Sequence, residues 1–237
     1  MPKYKRVLIK LTGEALSGEN NSGLQEKPLE ETAQQIIDIS KKGIQVAIVV
    51  GGGNILRGAS LSTSPNYSRV GADQMGMLAT IINALAIKET IQSLGHKSEV
   101  LTSIEMLKVC DVFNKNKANQ LLEEGNILVL GGGTGNPFFT TDSTAALRAL
   151  EINADIILKA TKVDGIYDKD PNEHKDAVKY DTLTFDQAIK ENLKIMDQTA
   201  FTLCKENNKE IIVFDFLNKG QLSKLISGEK IGTRIHS

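Results

Sequence analysis

Ile127-Leu128-Val129-Leu130-Gly131-Gly132-Gly133-Thr134-Gly135 is the stretch on which the fold turns. Four aliphatic residues in succession leave no polar face, so a strand here has to be covered on both sides. A glycine run follows at once, where the chain must leave the strand. The same succession recurs upstream. Residues 46–50 run into Gly51-Gly52-Gly53-Asn54, and residues 7–11 run into Thr12-Gly13. Further strands rich in Val, Ile and Leu are expected at 98–101, 156–159 and 211–214. Helical patterns at 29–42, 73–94, 115–124, 143–152 and 196–206 separate them, and Gly43 and Gly95 stand where C-cap glycines end two of these helices. Strand–helix alternation of this kind predicts an α/β fold with a mostly parallel central sheet and helices on both faces.

In such a sheet, ligands lie beyond the carboxyl ends of the strands. Four glycine clusters fall there: Lys10-Leu11-Thr12-Gly13, Gly51 to Asn54, Gly131 to Gly135, and Asp164-Gly165. Glycine lets a backbone approach a ligand closely, and N–H groups so presented bind phosphate. Several such loops at one sheet edge are harder to explain as turns than one would be. Yet no G-x-x-x-x-G-K-[ST] and no G-x-G-x-x-G occurs; Gly13 to Gly18 has the first spacing but continues with Glu19. The run Asp168-Lys169-Asp170-Pro171-Asn172 starts like an EF-hand loop, but Glu173 stands where glycine belongs and Lys179 where the closing acid belongs. His96, His174 and His236 have no metal-ligand spacing.

Composition narrows the class further. The chain has 237 residues, of which 24% are charged and 41% hydrophobic, in keeping with a globular protein. A formal net charge of −1 argues against a dedicated nucleic-acid binder. Cys110 and Cys204 are far apart, so a reducing compartment is expected. Lys3, Lys5 and Arg6 precede an apolar run that Lys10 cuts short, which is unlike a signal peptide, and no stretch is expected to approach a membrane span. A cytoplasmic protein without membrane partners is the expectation. The helix pattern at 73–94 stands apart, because Met75, Met77, Leu78, Ile81, Ile82, Leu85, Ile87 and Ile91 spread apolar surface around its girth. It is either a central core helix or a subunit interface.

The charged residues near the glycine loops fit phosphoryl transfer. Lys10 lies inside an apolar strand run, Arg57 follows the second glycine loop, and Lys159 and Lys162 flank the end of the fifth strand. Asp142 or Thr141 is placed to cap the helix from Ser143. Spreading the charge of a transferring phosphoryl group needs cations, N–H donors and Mg²⁺.

Five motifs in this order resemble those of bacterial uridylate kinases, a branch of the amino-acid-kinase superfamily. They are Lys10-Leu11-Thr12-Gly13-Glu14-Ala15-Leu16, Gly51-Gly52-Gly53-Asn54 with Arg57-Gly58, Asp73-x-Met75-Gly76-Met77-Leu78, the run from Gly132 to Asp142 (GGTGNPFFTTD), and Lys159-Ala160-Thr161-Lys162-Val163-Asp164-Gly165. The resemblance extends nearly end to end, as far as Gly228-Glu229-Lys230 and Gly232-Thr233. It implies a single amino-acid-kinase domain over 1–237, a three-layer α/β/α sandwich. The N-terminal part would mainly bind UMP and make oligomer contacts, and the C-terminal part would mainly bind ATP. The implied reaction moves the γ-phosphoryl group of ATP to UMP.

The resemblance also implies residue roles. Lys10, Asp142 and Lys162 would be catalytic, with Lys159 the alternative to Lys162 at the phosphates. Lys10, Leu11, Thr12, Gly13, Gly53, Arg57, Thr161, Tyr167 and Asp170 would bind ATP. Gly52, Asp73, Thr134, Gly135, Asn136, Pro137, Phe138, Phe139, Thr140 and Thr141 would bind UMP. Mg²⁺ would come with ATP rather than sit in a fixed protein site, Asp197 being the one candidate to help place metal or substrate. A homohexamer is implied, with GTP or UTP as candidate effectors and with residues 18–23 in the segment that takes part in GTP activation. Two rival readings remain: a kinase of carboxylate or carbamate substrates on the same fold, and a non-catalytic nucleotide-binding protein.

Overall fold

The computed structural model describes residues 3–18, 22–56, 66–171 and 173–237. Arg57 with Gly58, residues 19–21 of the segment expected to bear on GTP, and Asn172 lie outside the described residues.

The expected strands form the middle of one sheet. They are β1 (Arg6–Leu11), β2 (Gln45–Val50), β3 (Ser98–Thr102), β5 (Ile127–Gly131), β6 (Ile156–Thr161) and β10 (Ile211–Asp215). Short strands that carry no aliphatic run complete the set: β4 (Asp111–Val112), β7 (Ile166–Tyr167), β8 (Lys179–Tyr180), β9 (Thr182–Thr184) and β11 (Thr233–His236). The large sheet runs β4-β3-β5-β2-β1-β6-β10-β11-β9, and β7 pairs with β8 apart from it. Every pairing from β4 across to β10 is parallel, while β11 turns back antiparallel to β10.

The helices are α1 (Glu26–Ser40), α2 (Arg69–Ser93), α3 (Lys115–Glu123), α4 (Thr141–Glu151), α5 (Phe185–Lys190), α6 (Gln198–Glu206) and α7 (Gln221–Ile226). Two apolar clusters lie on opposite faces of the sheet. Ile9, Leu11, Ile48 and Val129 meet α1, α2 and α7, and Leu8, Val49, Leu128 and Ile157 meet α3, α4, α5 and α6. The central strands are buried on both faces, which is why they lack alternation. The chain is a three-layer α/β/α sandwich. Gly43 and Gly95 end α1 and α2 in the left-handed conformation that spares glycine a Cβ clash.

The helix α2 answers part of the question its girth raised. Met77, Ile81, Ile87 and Ile91 are buried, whereas Leu78 and Ile82 are 44% and 48% exposed. It therefore belongs half to the core and half to an outward apolar stripe. By length and composition it could cross a membrane, which corrects the expectation that no stretch approaches a span. In this fold its inner face is packed against β3 and β5.

A buried polar clasp ties α2 to the second glycine loop. Asn83 Nδ2 donates to Gly51 O (2.7 Å) and to Asn54 Oδ1 (2.7 Å), and Asn54 Nδ2 donates to Asn83 Oδ1 (3.1 Å) and Gly23 O (2.8 Å). Gly52 sits against the same helix so closely that a Cβ would lie 2.8 Å from the Ala79 Cβ and 3.0 Å from Gly76 O. Removing one amide would leave its buried partners unsatisfied. We therefore expect Asn83→Ala to lose about 1–3 kcal/mol of stability, read as a lower denaturant midpoint at unchanged slope. A loss below about 0.5 kcal/mol, the range of ordinary surface changes, would show that the clasp is not what holds the loop.

Candidate active site

Strand geometry decides where Lys10 points. Side chains alternate across a sheet, so Lys10 follows Leu8 onto the face that α4 covers. Parallel pairing of β1 with β6 puts Lys10 opposite Lys159. Two cations then stand side by side at the sheet's edge, each little exposed. Uncompensated, that burial would be very costly. The compensating anion is Asp142, in the first turn of α4. Its Oδ1 lies 2.9 Å from Lys10 Nζ and its Oδ2 2.7 Å from Lys159 Nζ. Lys159 Nζ also donates to Ile195 O at 2.5 Å. Burial pushes the Asp142 carboxyl up, but Lys10 and Lys159 outweigh it and hold the group below the usual carboxylate range. Burial pulls Lys159 down, Asp142 opposes that and Lys10 adds to it, so Lys159 lies below an ordinary lysine.

A cap aims Asp142. The residue capping α4 is Thr140, whose hydroxyl accepts from Asp142 N (3.0 Å) and Ser143 N (3.3 Å). This corrects the expectation that Asp142 or Thr141 caps a helix beginning at Ser143. Because Thr140 takes that duty, the Asp142 carboxylate is free for the lysines. Thr140 Oγ1 in turn donates to Asp197, as does Ser143 Oγ at 3.0 and 3.1 Å, and Asp197 caps α6 by accepting from Ala200 N (2.9 Å). Asp197 thus locks α4 against α6.

Two hollows open near the triad, one lined by Thr140 and Thr141, which adjoin Asp142 in the chain, and the other by Lys159 itself. One, of about 450 Å³, is lined by Gly52, Gly53, Asp73, Asn136, Phe139, Thr140 and Thr141, along with Arg69, Met77 and Thr80. A Cβ on Gly53 would meet nothing within 4 Å, so its backbone faces open space. Thr80 Oγ1 accepts from Gly132 N (2.9 Å) and Ser103 Oγ donates to Gly133 O (2.7 Å), which shapes the third glycine loop. Asp73 accepts from Phe138 N (2.7 Å) and from Arg69 Nε. Thr134 bonds to Asn136 within its own turn, and Gly135 is left-handed with φ 81°.

The other hollow, of about 610 Å³, is lined by Lys159, Thr161, Gly165, Tyr167 and Asp170 with Ile195. Tyr167 donates to Asp164 (2.7 Å), and Thr161 Oγ1 donates to Val163 O (2.7 Å). Thr233, wholly buried, accepts from Ile166 N (2.8 Å) beneath this loop. Leu11 is core, Thr12 precedes a 3₁₀ turn, and a Cβ on Gly13 would crowd Gly51 O at 2.9 Å. Lys162 is half-exposed and pairs with Glu14 at 3.0 Å, outside the triad. Among the described residues no group of three or more His, Cys, Asp or Glu side chains is placed to hold a metal. Cys204 is buried, and that burial pushes its thiol up to about 12.

Lys159, Arg69, Asn83 and Thr233 are the residues that sequence reasoning underweighted. Lys159 becomes special only through its register with Lys10, which no single strand reveals. Arg69 had a readable signal, one helical turn before Asp73.

Comparison with known proteins agrees with this geometry. The Amino acid kinase family profile matches residues 5–215. The chain is 50% identical over 237 residues to uridylate kinase of Bacteroides thetaiotaomicron, covering 100% of both chains. It is 49% identical over 232 residues to that of Xanthomonas oryzae pv. oryzae, covering 98% of this chain and 96% of the relative. Among solved structures, UMP kinase from Bacillus anthracis superposes with a TM-score of 0.95 at 40% identity, covering 98% of this chain and 96% of that one. UMP kinase from Ureaplasma parvum gives 0.92 at 38%, covering 99% and 100%.

The triad can be tested without any substrate. In a side-chain NMR titration, assigned with Lys159→Arg, the Lys159 ammonium should lose its proton below the ordinary value of 10.5. Asp142→Asn removes the attraction that opposes burial, so it should move Lys159 lower still. A rise, or no movement, would mean that the carboxylate does not govern the lysine.

Proposed function

The chain belongs to the amino acid kinase family, and we propose that it transfers the γ-phosphoryl group of ATP to UMP, giving UDP and ADP in pyrimidine nucleotide biosynthesis. The observation that carries this reading is the buried Lys10–Asp142–Lys159 triad standing near two hollows at a glycine-lined sheet edge. The smaller hollow takes UMP. Gly52 and the loop 134–141 surround it, and Asp73 accepts from the ribose hydroxyls. The larger takes ATP, with Thr161, Tyr167 and Asp170 at the adenosine; binding of the ATP phosphates is assigned to Lys10, Leu11, Thr12, Gly13, Gly53 and Arg57.

The chemistry needs no general base, because a nucleoside monophosphate is already ionised near neutral pH. The obstacle is bringing two anions together. Lys10 and Lys159 supply fixed positive charge in a site sheltered from water, where it stabilises the transferring group without reorganisation. Asp142 keeps both ammonium groups in place. Lys162 works from the rim of the phosphate path. Mg²⁺ enters as part of the MgATP substrate. Asp142 and Asp197 are each engaged by side chains of the protein, so neither is a ready metal ligand on its own.

We place the protein in the cytoplasm, where its substrates are, as a homohexamer. Its exposed stripe of Val70, Leu78 and Ile82 on α2 supports that assembly. GTP and UTP are the effectors to examine. The proposal includes a single amino-acid-kinase domain over residues 1–237, with UMP and oligomer contacts mainly in its N-terminal part and the adenosine contacts of ATP in its C-terminal part.

A panel of UMP, CMP, carbamate and N-acetylglutamate with MgATP tests the reading, and UMP should be the substrate turned over. Uracil and cytosine present opposite donor and acceptor edges, so a hydrogen-bonding loop can separate them by as much as ~10⁴-fold. Lys10→Ala should fold yet lose roughly 10²–10³ in kcat; a folded variant with wild-type kcat would remove Lys10 from the chemistry. Sedimentation at micromolar concentration should give an oligomer, and Leu78→Glu with Ile82→Glu should dissociate it. A monomeric wild type would defeat the assembly proposal.

A further inference from the structure

Phe138 is the one backbone anomaly in the loop that walls the smaller hollow. Its φ is 71°, in the left-handed region that side-chain-bearing residues other than Asn and Asp rarely occupy. The residue is 63% exposed, so burial does not hold it there. Two polar contacts do. The Phe138 N–H donates to Asp73 Oδ2 at 2.7 Å, and the Arg69 guanidinium carbon lies 5.6 Å from the Phe138 ring centroid. Both contacts lead back to Arg69. Its Nε straddles the Asp73 carboxylate, 3.0 Å from Oδ1 and 2.8 Å from Oδ2. Ser68 caps the same turn of α2 by accepting from Gly71 N.

As a surface ion pair, Arg69–Asp73 would count for little. The arginine is half-exposed, and the order of charges along the helix is the less favourable one. Its position gives it another use. Arg69 and Asp73 line the hollow themselves, and the residues that follow Phe138, namely Phe139, Thr140 and Thr141, form its opposite wall. The left-handed turn at Phe138 sets the direction in which those three run from the contact with Asp73 into α4.

We propose that Arg69 is a positioning residue for the acceptor nucleotide: it orients Asp73, and the two together hold Phe138 in the left-handed conformation that builds the wall at 139–141. The proposal rests on the reading of this hollow as the UMP site.

The test is a kinetic cycle on the full-length protein, with KM for UMP, KM for ATP and kcat measured in wild type, Arg69→Ala, Arg69→Lys, Phe138→Gly and the Arg69→Ala, Phe138→Gly pair. Arg69→Ala should raise KM for UMP about 5- to 30-fold and leave KM for ATP and the thermal midpoint near wild type. Arg69→Lys should recover only part, since an ammonium lacks the planar group that both straddles a carboxylate and lies over a ring. Glycine adopts the left-handed turn without strain, so in the Phe138→Gly background the loss of Arg69 should raise KM for UMP by less than it does in the wild-type background, the remainder being the orientation of Asp73. Should Arg69→Ala prove unstable, Arg69→Gln takes its place in the cycle. Effects that multiply would overturn the proposal, because Arg69 would then act on the nucleotide directly. An Arg69→Ala protein indistinguishable from an active wild type would overturn it as well. A wild type that fails to turn over UMP would instead refute the functional reading.

Discussion

Everything at the sheet edge depends on one carboxylate standing between two buried ammonium groups. Register brings Lys10 and Lys159 together on neighbouring parallel strands, and Asp142 offsets the cost of burying the two cations there. The carboxylate in turn depends on where α4 begins, which Thr140 decides by capping it. Asp197 then fastens Thr140 and Ser143 to α6. A chain of small polar contacts thus carries the placement of two cations. The lowered Asp142 pKa has a stability consequence. The triad's contribution is fully present above the ordinary carboxylate range and is lost as pH falls through the lower, folded value.

The glycine loops and the triad solve complementary problems. Cations at a fixed edge attract phosphate, but only a backbone free of side chains lets phosphate reach them. Gly53 faces open space, whereas Gly52 is glycine because α2 packs against it. The Asn54–Asn83 clasp explains how the loop stays still without side-chain bulk. A long helix that is half core therefore also backs the smaller hollow, and carries Asp73 and Arg69 into its lining.

Much of this was legible in the sequence. Runs rich in Val, Ile and Leu give the parallel strands, and the observed elements differ from the expected ones by at most four residues at either end. The short strands β4, β7, β8, β9 and β11 escaped because two to four residues cannot show a period. The helices α5 and α7 are likewise too short to stand out. Thr140 was passed over as a cap because Asp142 and Thr141 are equally good capping types, and only the helix's true start separates them. The prominence of Lys159 over Lys162 is a tertiary fact: one points onto the α4 face in register with Lys10, and the other reaches Glu14 at the surface.

The central claim is that phosphoryl transfer takes place at the Lys10–Asp142–Lys159 edge. Single-turnover transfer from γ-labelled ATP tests it most directly, comparing wild type with Lys159→Met, a change that keeps the stem and removes the charge. The account predicts that wild type places the label in the β-phosphate of UDP, and that Lys159→Met slows this step by orders of magnitude while ATP and UMP still bind. Label appearing in inorganic phosphate, or an undiminished rate in Lys159→Met, would contradict it.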